Sequence, residues 1–225
     1  MKRAVLASVA MSALLAFSVP AATGGPAAMA PGSLSSFPVT GYVLEGGASK
    51  VIRREASRVT DIGIDGALVS KDGSSLRIGK GLRTALKAAH AQGKPASLLV
   101  ANYDNSIGDF SPAIADRLLT SPANRTKVAG ILVREVADHG WDGLTIDLEA
   151  LNDDNREGLV AFLAELREAV PEGTTLDIDI PASSSPGGYQ WRPFDRPAIA
   201  AVVDRVVLMS YDQHYQGGTP GPIAG

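Results

Sequence analysis

The feature that most restricts this chain is an apolar run with acid at alternate positions. In Gly140-Trp141-Asp142-Gly143-Leu144-Thr145-Ile146-Asp147-Leu148-Glu149, an extended backbone puts Thr145, Asp147 and Glu149 on one face and Leu144, Ile146 and Leu148 on the other. The stretch Thr175-Leu176-Asp177-Ile178-Asp179-Ile180-Pro181 again alternates acid with aliphatic. Burying an unpartnered carboxylate is costly, so a strand covered on both faces would read as a near-continuous Val/Ile/Leu run. These strands instead need one apolar face and one face where acid is tolerated or used. A half-exposed antiparallel strand with a wet face satisfies that need, and so does a strand whose acids gather at the mouth of a barrel.

The order of elements bears on the choice. Strands are expected over residues 38–44, 59–64 continuing towards Val69, 96–101, 140–149, 175–181 and 205–211. Between them fall helical patterns over 49–58, 81–92, 111–119, 124–139, 156–170 and 197–203. The stripes Leu82, Leu86, Ala89, then Val128, Ile131, Leu132, Val136, and then Leu159, Phe162, Leu163, Leu166 point inward. Alternating strands and helices imply a parallel sheet with right-handed crossovers. A doubly wound sheet keeps charge off its central strands, whereas here the third to sixth strands end in or contain polar side chains. Polar residues at the C-terminal ends of successive strands favour an α/β fold of the (β/α)8 TIM-barrel type. A complete barrel takes about 250 residues, so this chain is expected to be a truncated barrel ending after the sixth strand.

With 225 residues, a net charge of −3 and no cysteine, the composition suits one soluble domain and excludes a disulfide scaffold and a nucleic-acid binder. Lys2 and Arg3 precede an apolar run from Ala4 to Phe17, followed by small residues and prolines, as in a secretory signal peptide. That run is too short for a stable membrane span. Residues 1–30 are read as the signal, with cleavage after Ala28-Met29-Ala30 or earlier after Val19-Pro20-Ala21, 31–37 as a linker and 38–225 as the domain. The expected product is a secreted, extracellular or cell-wall-associated monomer without a lipid anchor or stable membrane insertion.

Two motifs carry a family resemblance. Asp142-Gly143-Leu144-Thr145-Ile146-Asp147-Leu148-Glu149 resembles the Asp-Gly-x-x-Asp-x-Asp-x-Glu signature of glycoside hydrolase family 18, the chitinase-like enzymes, and departs from it at Thr145. Met209-Ser210-Tyr211-Asp212 is similar to that family's Met-Thr-Tyr-Asp at the sixth strand. His214 and Pro220-Gly221-Pro222 look like the branch of spore-cortex-lytic N-acetylglucosaminidases. The resemblance covers about residues 38–225, and the family's eighth-strand tryptophan has no counterpart. It implies a retaining, substrate-assisted glycosidase with no cofactor, acting on polysaccharides that contain N-acetylglucosamine, either chitin or peptidoglycan.

In that mechanism the acetamido oxygen of the sugar is the nucleophile, so one enzymic acid suffices. The resemblance makes Glu149 the general acid and then the base. It makes Asp147 the group that orients the acetamido and keeps Glu149 protonated by like charge, and Tyr211 a donor to the acetamido oxygen. Candidate substrate contacts are Asp142, Thr145, Met209, Asp212, Tyr42, Asn102 and Trp191. Asp142 could equally act in local structure, and Thr145 is expected to hydrogen-bond Asp147. Asn102, Tyr103 and Asp104 sit at a strand end, and Tyr189 and Trp191 could stack on sugar rings. Asp177 and Asp179 divide evenly between a structural network and substrate contact. Two other functions fit the residues less well: a hydrolase using Asp147, Glu149, Asp177 and Asp179 on a hard cation, and a lectin-like saccharide binder, which would have no reason to keep Glu149.

Overall fold

The computed structural model describes residues 37–183, 193–211, 214 and 218–222. In chain order the elements are β1 (Thr40–Leu44), α1 (Ala48–Glu55), β2 (Asp61–Val69), the short β3 (Leu76–Arg77), α2 (Lys80–His90) and β4 (Ala96–Ala101). A small hairpin, β5 (Tyr103–Asp104) and β6 (Asp109–Phe110), precedes α3 (Pro112–Leu119) and α4 (Pro122–His139). Then come β7 (Gly143–Asp147), α5 (Arg156–Ala169), β8 (Thr175–Pro181), α6 (Arg196–Ala200) and β9 (Arg205–Met209). Strands β1, β2, β4, β7, β8 and β9 pair side by side in that order, all parallel, with β3 antiparallel on β2.

The alternation in the strands separates two layers. Ile62, Ile64, Leu98, Val100, Leu144, Ile146, Leu176, Ile178 and Ile180 join one apolar core with the stripes of all six helices, among them Ile52, Leu82, Leu118, Leu132, Phe162 and Ile199. The opposite face carries Asp61, Asp65, Ser97, Leu99, Thr145, Asp147, Asp177, Asp179 and Arg205. Its own apolar cluster is small, Leu68, Leu99 and Ala101 with Tyr103 and Phe110 against it, and among the described residues no helix takes part. Helices therefore cover one face only, which is the arrangement of a barrel wall and not of a doubly wound sheet. The sheet is curled: the Arg205 guanidinium on β9 lies 3.5 Å from Thr40 Oγ1 on β1 and 3.5 Å from Asp61 Oδ1 on β2. The chain is an arc of a (β/α) barrel with an open side, where Leu44, Val206 and Leu208 are exposed.

Local chemistry explains where the elements depart from the sequence expectation. Helix α4 begins at Pro122, earlier than residue 124, because Ser121 accepts from the Asn124 backbone N–H and proline is tolerated at the first helical position. It ends at Gly140, whose φ of 76° is the left-handed conformation glycine adopts freely. On that helix Ile131 is only half-buried and Glu135 is buried in its stead. Two hydrogen bonds from Arg83, at 3.0 and 2.7 Å, and one from the Trp141 indole at 3.3 Å hold Glu135 there. The last strand stops at Met209, two residues short of Tyr211. Strands β3, β5 and β6 are too short to show a sequence period. The signal segment and all but the last residue of the expected linker fall outside the described residues, as do Tyr189, Trp191 and Asp212. Among the described residues no helix is long and apolar enough to cross a membrane.

Candidate active site

The acidic face of β7 ends in a cleft at the C-terminal ends of the strands. Tyr42, Leu44, Asp65, Leu99, Asp147, Asp179, Val207 and Tyr211 line a cavity of about 260 Å³. A second, of about 500 Å³, shares Leu44, Asp65 and Asp147 with it and continues past Gly66, Tyr103, Asn105 and Phe110. Asp147 therefore stands between two hollows of one groove.

Glu149 lies two residues beyond the end of β7 and is half-buried. Its backbone is held from both sides by Asn102: the Asn102 Oδ1 accepts from the Glu149 N–H at 2.9 Å and the Asn102 Nδ2 donates to the Glu149 carbonyl at 2.9 Å. The same Nδ2 donates to the Ser111 carbonyl at 3.0 Å. Immediately after Glu149, Ala150 takes φ 53°, the one described non-glycine residue with positive φ. Left-handed backbone at alanine is strained and persists only where the surroundings impose it. Clamp and strain together fix where the Glu149 side chain leaves the strand.

Asp147 is 9% exposed, and its Oδ1 has no hydrogen-bond partner among the described residues. Burial, reinforced by the charges of Glu149, Asp179 and Asp65, pushes its carboxyl up to about 8. Asp179 is buried too, and desolvation with the charges of Asp177 and Glu149 raises it to about 7. Desolvation also raises Asp65. Near neutral pH this end of the sheet therefore holds carboxylic acids as well as carboxylates. Tyr42 lies over Gly63, where an added Cβ would come within 2.4 Å of the ring. Burial first, then Asp179 and Asp177, raises its hydroxyl, so Tyr42 remains a hydrogen-bond donor. Tyr211 forms the far wall and is 53% exposed.

Several residues that the sequence singles out lie elsewhere. Asp142 is at the opposite end of β7, where its Oδ2 accepts from the Ala96 N–H at 2.8 Å and sits 2.8 Å from His90 Nε2. It anchors the first residue of the neighbouring strand β4 and does not line the cleft. Asn102 is fully buried, its amide occupied by Glu149 and Ser111, so it shapes the site without lining it. Thr145 is 1% exposed and donates to Ser97 Oγ at 3.1 Å, not to Asp147. Met209 is half-buried and absent from the lining of either hollow. Asp177 Oδ2 accepts two hydrogen bonds from the Arg205 guanidinium, at 3.0 and 2.6 Å. Among the described residues no three His, Asp or Glu side chains converge in a way that could hold a metal ion.

The fold also brings Asp65 and Asp179 into the cleft; the sequence leaves Asp179 evenly divided between structure and substrate contact and does not single out Asp65. Asp179 is visible in the sequence as a strand acid of undecided role. Asp65 carries the same signal in Asp61-Ile62-Gly63-Ile64-Asp65, an acid two positions on from a small residue on the same face as Asp61. A register shift between Asp65 and Ala67, with Gly66 at φ 147°, sets the course of β2 just past that side chain.

Comparison with known proteins agrees with this geometry. The model of glycosyl hydrolases family 18 matches residues 61–224. Protein YdhD of Bacillus subtilis strain 168, named as a sporulation-specific glycosylase, is 35% identical over 118 residues, 52% of this chain and 28% of the relative. The cortical fragment-lytic enzyme of Bacillus anthracis is 28% identical over 129 residues, 56% of this chain and 30% of the relative. Chitinase B of Serratia marcescens is 31% identical over 118 residues, 49% and 23% of the two chains. The chain thus spans less than a third of the length of each of these relatives. A class V chitinase of Pseudomonas fluorescens Pf-5 superposes with a TM-score of 0.74 at 26% identity, covering 84% of this chain and 60% of that one. Six consecutive barrel strands, an acid clamped past the end of the fourth, and a family match over most of the domain lead to one conclusion: this chain belongs to glycosyl hydrolase family 18.

Proposed function

We propose that this protein is a secreted glycosidase that hydrolyses β-1,4 bonds to N-acetylglucosamine by a substrate-assisted, retaining mechanism. The observation that carries the reading is the pairing of Glu149, fixed by Asn102 and by the strained turn at Ala150, with a buried Asp147 whose carboxyl is held up near 8. Glu149 protonates the departing glycosidic oxygen and then activates the water that resolves the intermediate. Asp147 aligns the acetamido group so that its oxygen attacks the anomeric carbon, and Tyr42 and Tyr211 offer hydroxyl donors from the two walls of the cleft. Met209, Asp212 and Trp191 belong in this reading to the substrate's surroundings. Bacterial cell-wall glycan and chitin both carry the acetamido group. The cell-wall glycan is the favoured substrate because relatives of this chain are named as cortical fragment-lytic enzymes and a sporulation-specific glycosylase. The polysaccharide lies outside the cell, in keeping with the signal-like N-terminus, and a single chain suffices for the reaction.

The dependence on the acetamido group is the sharpest test. N-acetylated oligosaccharides should be cleaved with the β-anomer as first product by proton NMR, and fully deacetylated oligomers should remain intact. Cleavage of both, or an α-anomer as first product, would refute substrate assistance. Binding of the acetylated oligomer without turnover would make the protein a saccharide-binding barrel.

A further inference from the structure

The cleft contains a pair of acids that the reading above uses only by half. Strands β7 and β8 run parallel and in register, Thr145 beside Asp177 and Ile146 beside Ile178, so the next inward-facing neighbours are Asp147 and Asp179. Inward-facing neighbours on adjacent strands are about 5 Å apart at the backbone. Asp147 is 9% and Asp179 6% exposed, both line the same hollow, and each has an Oδ1 without a hydrogen-bond partner among the described residues. The described elements around them offer no compensating charge. Facing the pair are Tyr42 from β1, Asp65 from β2, Leu99 from β4, Val207 from β9, Tyr211 beyond it and Glu149 beyond β7. Arg205 on β9 is turned to Asp177 Oδ2, which takes two of its N–H groups. Thr145, the polar residue below Asp147 on its own strand, has spent its hydroxyl on Ser97.

Two neighbouring carboxylates in such surroundings cannot both ionise at modest cost. The upward displacement of both groups, to about 8 and about 7, agrees with that. We propose that Asp179 is the positioning partner of Asp147, the two sharing a single proton across the β7–β8 pair. The shared proton fixes the orientation of Asp147. It also lets Asp147 gain or lose negative charge by passing the proton to or from an Asp179 oxygen, with no exchange with solvent and no change in the charge of the pair. In a glycosidase of the kind proposed, that transfer would match the positive charge that grows on the acetamido-derived ring. The role in turnover rests on that reading; the shared proton does not.

The test is a carboxyl-carbon NMR titration from pH 4 to 9 of the whole chain labelled at aspartate Cγ, in wild type, Asp179→Asn, Asp147→Asn and Asp65→Asn. In wild type, the Asp147 and Asp179 signals should move together in two steps. Asp179→Asn should lower the Asp147 midpoint by about one pH unit or more, Asp147→Asn should do the same to Asp179, and Asp65→Asn should shift Asp147 less. Independent single-step titrations in wild type, or an Asp147 midpoint that moves by under about 0.3 unit in Asp179→Asn, would overturn the proposal. Should Asp179→Asn fail to fold, the wild-type curves and the reciprocal variant still decide. In turnover of an acetylated oligosaccharide, Asp179→Asn should move a limb of the kcat profile to lower pH while KM changes by less than about twofold. Coupled titrations in a wild type that cleaves nothing would uphold the shared proton and refute the glycosidase reading.

Discussion

The two ends of the same six strands both carry aspartate and treat it in opposite ways. At the N-terminal end each of these acids has a partner. Asp142 accepts from the first backbone N–H of β4, and Asp204 repeats the device one element pair later, accepting from the Leu176 N–H of β8 at 2.8 Å while bound to Arg167. Asp61 accepts from Thr40 and Thr60, and Asp177 holds Arg205. At the C-terminal end Asp147 and Asp179 are buried with an Oδ1 that has no partner among the described residues; Asp177 leaves its own Oδ1 unpartnered too, but its Oδ2 is neutralised by Arg205, and no described arginine or lysine pairs with the other two there. Acids at the first end tie neighbouring strands together and add stability; acids at the second are kept at the expense of stability, which is the mark of a site retained for chemistry.

Substitutions at the two ends should differ accordingly. The largest effect is expected for Glu149→Gln, which keeps shape and removes the acid: release of reducing ends should fall by about 10²–10⁴-fold with oligosaccharide binding preserved. Loss of less than about tenfold would move the acid to another residue. Asn102→Ala comes next, because it strands the N–H and carbonyl of Glu149 and the Ser111 carbonyl in a buried place. Denaturant titration should show a loss of about 2–4 kcal/mol, with turnover lowered further than stability alone explains. A stable variant with normal kcat would mean that the clamp does not set the position of Glu149. The smallest effect belongs to Asp142→Ala at the opposite end. Its partly exposed pairing should be worth about 1 kcal/mol, with kcat changed by less than about twofold. A collapse of kcat at unchanged stability would erase the distinction between the two ends.

Much of this architecture is legible in the amino-acid sequence. The period-two alternation puts the helices on one face, and the polar strand ends choose a barrel over a doubly wound sheet. The helical stripes of α2 and α5 are buried as their spacing requires, and β4 and β8 have the bounds that their residue patterns predict. What a one-dimensional pattern does not carry is which end of a strand a residue occupies once its side chain finds a partner. Asp142 lies within the motif, yet the backbone N–H of Ala96 and the ring of His90 claim it. Thr145 is on the acidic face but in the layer below the cleft, where Ser97 is its neighbour. Asn102 follows a strand, which makes it a plausible cleft residue, but its amide turns back to the chain it supports. Asp179 and Asp65 gain their place from strand register and from a bulge, long-range facts with no local signature.

Asp147 is held protonated at a cost to the fold, and that cost is read in the pH dependence of stability. A carboxyl whose value is raised on folding retains in the native state a proton that the unfolded chain releases, so stability is greatest at low pH and falls as pH rises between about 4 and about 8. For a shift of this size the ceiling is roughly 6 kcal/mol. Asp147→Asn keeps the shape and cannot ionise. Its denaturation midpoint should match that of wild type near pH 4 and exceed it by a margin that grows until about pH 8. A variant less stable than wild type by a constant amount at every pH would contradict the account, because Asp147 would then be an ordinary paired acid like those at the other end of the sheet.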